Sequence, residues 1–165
     1  MPFTTDEHQL ANYLSKQLPQ TFRGIYSCNE LMFSPKALGW PVQPPHALIV
    51  NTDPSNLPGK HWIAIYITDD RRGEVMDTYG FLPPSTVQRW LNEHTRQWTA
   101  NTRLIQPPDS DSCGQFCADY LVQRAKMDSM HAVLATDFTR NLHHNERVVL
   151  SRVRFSCLYC TLLCY

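Results

Sequence analysis

No stretch of this 165-residue chain approaches the ~18 consecutive apolar residues of a spanning helix, so a membrane-crossing protein is not expected. The opening residues Met1-Pro2-Phe3-Thr4-Thr5-Asp6-Glu7 lack the basic and apolar segments of a secretory signal, and the six cysteines are therefore expected to be reduced thiols. Low-complexity tracts and internal repeats are also missing, which argues against a disordered tail or a repeat array. Net charge is absent as well: 15 Lys and Arg balance 15 Asp and Glu. The imbalance is local, since residues 140–165 hold Arg140, Arg147, Arg152 and Arg154 against Glu146 and are net +3, leaving the rest at −3. A solvated helix face is the expected reading of those arginines. What remains is globular. With 42% hydrophobic and 18% charged residues, a chain of this size can bury roughly 68–70% of its unfolded surface in one core.

Periodicity outlines the elements. Thr4 and Glu7 form a capping box for a helix with Leu10, Tyr13, Leu14 and Leu18 on one face. His46 to Asn51 reads as a buried strand, His61 to Ile67 as a second, and Glu74 to Asp77 as its hairpin partner across the charged turn Asp69-Asp70-Arg71-Arg72-Gly73. Leu82-Pro83-Pro84 interrupts the chain, and Ser85 can cap a helix through Glu93 with Val87, Trp90 and Leu91 inward. Thr102 to Gln106 reads as a returning strand stopped by Pro107-Pro108. A helix opens at Cys113 and runs to about Lys126, and a further one lies within Met130 to His144. The expected fold is α+β, helices packed on a mostly antiparallel sheet, with a main domain over 1–145 and a basic, then apolar and cysteine-rich, tail over 146–165.

Chemistry concentrates on four residues of this frame. Cys113 sits between Ser110-Asp111-Ser112 and Gly114, a polar turn at the mouth of an apolar helix, whereas a structural cysteine would sit among apolar neighbours. Cys117, one turn later beside Phe116, Tyr120 and Leu121, fits the structural description. A thiol at a helix N-terminus beside an imidazolium is the arrangement that yields a nucleophilic thiolate. His61 is the candidate imidazole. Asp77 is the candidate carboxylate to hold its other ring nitrogen, with Asp69, Asp70 and Glu74 as rivals. Gln106, seven residues before Cys113, can supply an amide N–H that joins the Cys113 backbone N–H on a developing oxyanion. Base, orienter, amide donor and nucleophile make the set expected of a thiol hydrolase.

These residues also carry a resemblance. Ala47-Leu48-Ile49-Val50-Asn51-Thr52, His61-Trp62, Asp77-Thr78-Tyr79-Gly80-Phe81 and Gln106-Pro107-Pro108-Asp109-Ser110-Asp111-Ser112-Cys113-Gly114-Gln115-Phe116-Cys117 resemble the adenovirus endopeptidase (adenain) family, whose relatives occur in Maverick/Polinton-type virus-like elements and, more distantly, among proteases of ubiquitin-like proteins. Phe22-Arg23-Gly24-Ile25-Tyr26 and Ser34-Pro35 extend the similarity, so that it covers about Thr5 to Ala125. The resemblance implies a cysteine endopeptidase that cuts viral precursor proteins at glycine-containing sites, acting as a monomer in the virion and host nucleus, or in the host cytoplasm. It places the nucleophile on Cys113, the base on His61, the acid on Asp77 and the oxyanion amide on Gln106.

Two departures alter the expected regulation. The segment between Asp77 and Gln106 is shorter than in adenovirus enzymes and holds no cysteine, the six being Cys28, Cys113, Cys117, Cys157, Cys160 and Cys164. Disulfide-linked activation by a peptide through that segment is thus not expected, and an activating peptide would bind non-covalently. Adenovirus proteases are basic throughout and use DNA as a cofactor; in this neutral chain no cofactor is required and DNA stimulation should be weak. A zinc site in the tail is not expected, because beside His143-His144 only Cys157-x-x-Cys160 has the usual paired spacing. A deconjugating protease acting on glycine-ended tails of ubiquitin-like proteins shares all of this chemistry. A non-catalytic interaction module does not, given four intact site residues.

Overall fold

The computed structural model describes residues 6–155, so Thr4 and the tail cysteines Cys157, Cys160 and Cys164 lie outside the described residues. In chain order the elements are α1 (Glu7–Gln17), β1 (Phe22–Ser27), β2 (His46–Asn51), β3 (Trp62–Ile67), β4 (Arg72–Met76), α2 (Ser85–His94), β5 (Gln97–Ala100), α3 (Cys113–Arg124), α4 (Met130–Asp137) and α5 (Leu142–Arg152). The five strands form one sheet in the order β1-β2-β3-β4-β5.

The α+β class is as expected, but the sheet is mixed. β2, β3 and β4 pair antiparallel, while β1 joins β2 and β5 joins β4 in parallel. Connections explain the difference. β3 and β4 are joined by the tight turn at Asp69-Asp70, where the Arg71 N–H donates to the Thr68 carbonyl at 2.8 Å and Arg71 takes a φ of 63°. β4 reaches β5 through α2, and a crossover of that length returns the chain in the same direction.

Successive residues of β2 face opposite sides, and both sides are covered. Ala47 and Ile49 join a core built with α1, α3, α4 and α5, whereas Leu48 and Val50 join a second core with Val87, Trp90 and Leu91 of α2. That double burial is why β2 reads as a continuous apolar run. α3 lies across β3 and is flanked by α1, α4 and α5. Eleven of its twelve residues are buried, so the element that begins with Cys113 is the central helix of the molecule.

Several boundaries differ from the expectation, each for a local reason. The first helix is capped by Asp6, whose carboxylate accepts from the His8 N–H. Pro84 occupies the N-cap of α2, leaving Ser85 as its first helical residue. The strand expected over Thr102–Gln106 falls instead at Gln97–Ala100, against β4. Residues 101–106 run without regular structure, tied by the Ile105 N–H to the Thr78 carbonyl at 2.8 Å. The single helix expected within Met130–His144 is two helices, and the second, α5, crosses position 145 and places Val149 in the core, with Val153 following at its C-cap. β1, which the sequence reading did not assign as a strand, pairs with β2 along the sheet edge.

Candidate active site

The sheet and α3 bring His61 and Cys113 to one cleft, with Asp77 buried behind His61. His61 directly precedes β3, Asp77 directly follows β4, and Cys113 is the first residue of α3. Because β3 and β4 are antiparallel neighbours, the start of one and the end of the other fall side by side. α3 packs on β3 and delivers its N-terminus to the same end. The cleft, about 260 Å³, is lined by residues that include His61, Trp62, Tyr79, Ser110, Asp111 and Cys113.

His61 stands between acid and thiol. Its Nε2 lies 3.0 Å from Asp77 Oδ1, and the Cys113 side chain is near enough to act on the ring's proton affinity. Burial pulls the imidazole toward its neutral form. The hydrogen bond and the negative charge of Asp77, with the neighbouring Cys113, outweigh that pull and raise its pKa from 6.5 to about 9. At neutral pH the ring is therefore an imidazolium, the form that can hold a thiolate beside it and later release a proton to a leaving amine.

The carboxylate is itself held from several directions. Asp77 is almost fully buried, and its Oδ1 also accepts the Tyr79 N–H at 2.7 Å. Asn101, just past β5, accepts the Asp77 N–H and donates to the Asp77 carbonyl, each at 2.7 Å. The Tyr79 ring lies over His61, with centroids 4.9 Å apart and planes inclined by 32°. Gly80 completes the turn with φ +76°, and a Cβ there would come within 2.7 Å of the Thr102 carbonyl carbon. The rival carboxylates are engaged elsewhere: Asp70 pairs with Arg72 at 2.7 Å on the surface, and Glu74 with Arg124, whose Nη2 is 3.1 Å from Glu74 Oε1.

Gln106 is fully buried. Its Nε2 donates to the Ser110 carbonyl at 2.8 Å, three residues before the nucleophile, while its Oε1 finds no hydrogen-bond partner. The glutamine thus meets the nucleophile loop from inside. Cys117 is fully buried, its thiol donates to the Trp62 carbonyl at 3.3 Å, and burial together with the charges of Cys113 and Asp77 pushes its pKa well up, as befits a structural cysteine. Cys28 is buried in the second core.

Three residues that contribute here were not singled out from the sequence. Tyr79 carried a signal, because a carboxylate accepting the N–H two residues on is a common Asp turn. Asn101 and Glu146 did not: the carboxylate of Glu146, on α5, accepts hydrogen bonds from the hydroxyls of Ser110 and Ser112 across more than thirty positions of sequence. Among the described residues no cluster of His, Cys, Asp and Glu is arranged to hold a metal ion, and no helix is long and apolar enough to cross a membrane.

Comparison with known proteins bears on the fold and on the chemistry separately. No protein-family model matches the chain. Its sequence is similar to the cysteine protease of African swine fever virus, 28% identical over 144 residues covering 78% of this chain and 50% of the viral protein. A second isolate's protein, named a SUMO-1 cysteine protease, matches with the same identity and coverage. The crystal structure of the African swine fever virus protease superposes with a TM-score of 0.65 at 18% identity, covering 90% of this chain and 67% of that one. The fold of this chain is similar to that of the viral enzyme. The chain spans about half the length of the curated relatives it matches. The adenain-like resemblance holds at the level of the fold, and the similarity does not point specifically to adenovirus or Maverick-type enzymes.

Proposed function

We propose that this chain is a cysteine protease that cuts after glycine, with Cys113 as nucleophile. The observation that carries the proposal is a single imidazole, His61, bonded to buried Asp77 and sharing a cleft with a cysteine at the N-terminus of the central helix. In the reaction the Cys113 sulfur attacks the scissile carbonyl, and the tetrahedral oxyanion is met by the Cys113 backbone N–H and the Gln106 amide. That amide has two hydrogens: the Ser110 carbonyl takes one at 2.8 Å, and the other is held only by the 3.4 Å contact to the Ser110 hydroxyl, which it gives up to reach the oxyanion. The His61 imidazolium protonates the departing amine as the C–N bond breaks, leaving a thioester on Cys113. Neutral His61 then removes a proton from water, whose attack on the thioester releases the acid and restores the Cys113 thiolate beside the imidazolium. Asp77 keeps the ring in one tautomer and orientation throughout.

The substrate class favoured is a glycine-ended tail of a ubiquitin-like protein. The name SUMO-1 cysteine protease borne by several of the African swine fever virus relatives supports this, as does a cleft whose lining includes Trp62 and Tyr79, since bulky neighbours beside the cut favour glycine. Viral precursor processing at glycine-containing sites is the second reading, supported by the viral origin of those same relatives. Two substrate sets test the proposal. Peptidyl aminocoumarins ending in Gly-Gly should turn over, should lose more than about tenfold in kcat/KM when the last glycine becomes leucine, and should be untouched by the Cys113→Ala variant. Release of the tail from a ubiquitin-like fusion at rates well above those on precursor peptides supports deconjugation, and the reverse order supports precursor processing. Turnover that survives Cys113→Ala would overturn the proposal.

A further inference from the structure

The nucleophile is introduced by a segment with little regular structure of its own. Residues 106–112 contain neither helix nor strand, and their internal backbone bonding includes only the Ser110 N–H to the Pro107 carbonyl at 3.2 Å. Ser112 stands at the N-cap of α3 but makes no side-chain capping bond. Its hydroxyl, and that of Ser110, turn instead to one oxygen of Glu146, with Ser112 Oγ 2.7 Å away. The two hydroxyls also lie 2.5 Å from each other, so Glu146 and the serine pair form one small hydrogen-bonded cluster in which the carboxylate oxygen accepts. Ser110 Oγ also accepts the Ser112 N–H at 3.2 Å and, at the long limit of 3.4 Å, a hydrogen of Gln106 Nε2.

The preceding residue of α5 acts on the other end of the same segment. Asn145, fully buried, donates to the carbonyl of Ile105 at 3.0 Å and is pinned by Thr139, whose N–H it accepts at 2.8 Å. Two consecutive residues of one helix thus hold the chain on either side of Gln106 and up to the residue before Cys113. α5 is anchored in turn by Val149 in the main core and by Arg152, which bonds Asp119 of α3 at 3.2 Å.

Resting on the reading of Cys113 as nucleophile, we propose that Glu146 is a positioning residue of this protease, setting the loop that carries the oxyanion amide and the thiol through Ser110 and Ser112. It touches neither substrate nor reacting atoms. Its effect is exerted at bond making, where a misplacement of about 1 Å can cost on the order of 10²-fold.

Glu146→Ala and Glu146→Gln test the proposal, with kcat expressed per Cys113 titrated by an irreversible thiol reagent and with the rate of Cys113 alkylation followed by peptide mapping. Glu146→Ala should lower kcat per titrated site by roughly ten- to a hundredfold with KM within about twofold. Glu146→Gln, which retains an acceptor oxygen at the same reach, should recover most of the loss. Wild-type kcat per titrated site in Glu146→Ala, or no recovery in Glu146→Gln, overturns the assignment. Should Glu146→Ala fail to fold, the Ser110→Ala/Ser112→Ala double variant takes its place, and undiminished kcat there overturns it equally. If the wild-type protein cleaves no substrate, the protease reading falls by itself. The alkylation rate then decides the positioning role, slower in Glu146→Ala if the role is right and equal to wild type if it is wrong.

Discussion

Replacing Asp77 by asparagine isolates the charge that makes His61 an imidazolium. The variant retains a side-chain oxygen for the Tyr79 N–H and for the ring, so geometry is largely kept while the negative charge is lost. In the folded protein the imidazole rises from 6.5 to about 9 against the opposing pull of burial. At ~1.4 kcal/mol per tenfold change in proton affinity, that rise is about 3 kcal/mol in favour of the charged ring. Asp77 supplies a raising hydrogen bond and one of the two raising charges. Its neutralisation should therefore bring the ring down to roughly 7–8, within the range for loss of a neighbouring charge. The alkaline limb of kcat/KM, which reports deprotonation of the imidazolium in the free enzyme, should move from near 9 to that lower value, and activity at neutral pH should fall. The assay is kcat/KM on a Gly-Gly aminocoumarin from pH 5 to 10, with Glu74→Gln as control because Glu74 is bound to Arg124. The same displacement bears on stability. A raised folded pKa contributes fully below the unfolded value of 6.5 and loses its effect as pH climbs through about 9. Wild type should thus lose up to about 3 kcal/mol across that window, and Asp77→Asn clearly less. An alkaline limb left at its wild-type position in folded Asp77→Asn would refute the reasoning.

Other outcomes follow from the same geometry. Cys113, in the cleft, should be carbamidomethylated by iodoacetamide well before Cys28 or Cys117, and peptide mapping that finds the three equal would sink its assignment. Gln106→Ala should reduce kcat by about 10²–10³ with KM little changed; a parallel fall in Cys113 alkylation would show that the glutamine acts chiefly on the loop through Ser110. Gly80→Ala should destabilise the fold by roughly 1–3 kcal/mol in urea unfolding, because φ of +76° and the Thr102 backbone both oppose a Cβ. Unchanged stability there would mean that the turn behind Asp77 yields freely.

The legibility of this protein in its sequence varied with how local the cause was. α3 and strands β2 to β4 were readable because burial on both faces or a clear polar turn wrote itself into runs such as Leu48-Ile49-Val50 and Asp69-Asp70. β5 was misplaced because an edge strand with only Trp98 and Ala100 half-buried carries a weak alternation, while Leu104-Ile105 nearby looks more strand-like and is not. α5 hid because its buried residues are Asn145 and Val149, too few for an apolar stripe. His61, Asp77 and Cys113 were legible as chemistry before they were legible as neighbours. The Glu146 contact to Ser112 and the Asn101 grip on Asp77 depend on tertiary packing between distant segments, and no spacing announces them.

The depth at which α3 is set has a consequence for durability. Native proteins open piecemeal, with exposed segments fluctuating at little cost and the innermost elements releasing their amides only when everything unfolds. A helix buried at eleven of twelve positions belongs to the last group. The thiol, seated on its first residue, is carried by the part of the molecule least prone to partial opening. Heat inactivation of this protein should therefore coincide with global melting, and amide exchange along Phe116 to Val122 should set the ceiling for the whole chain.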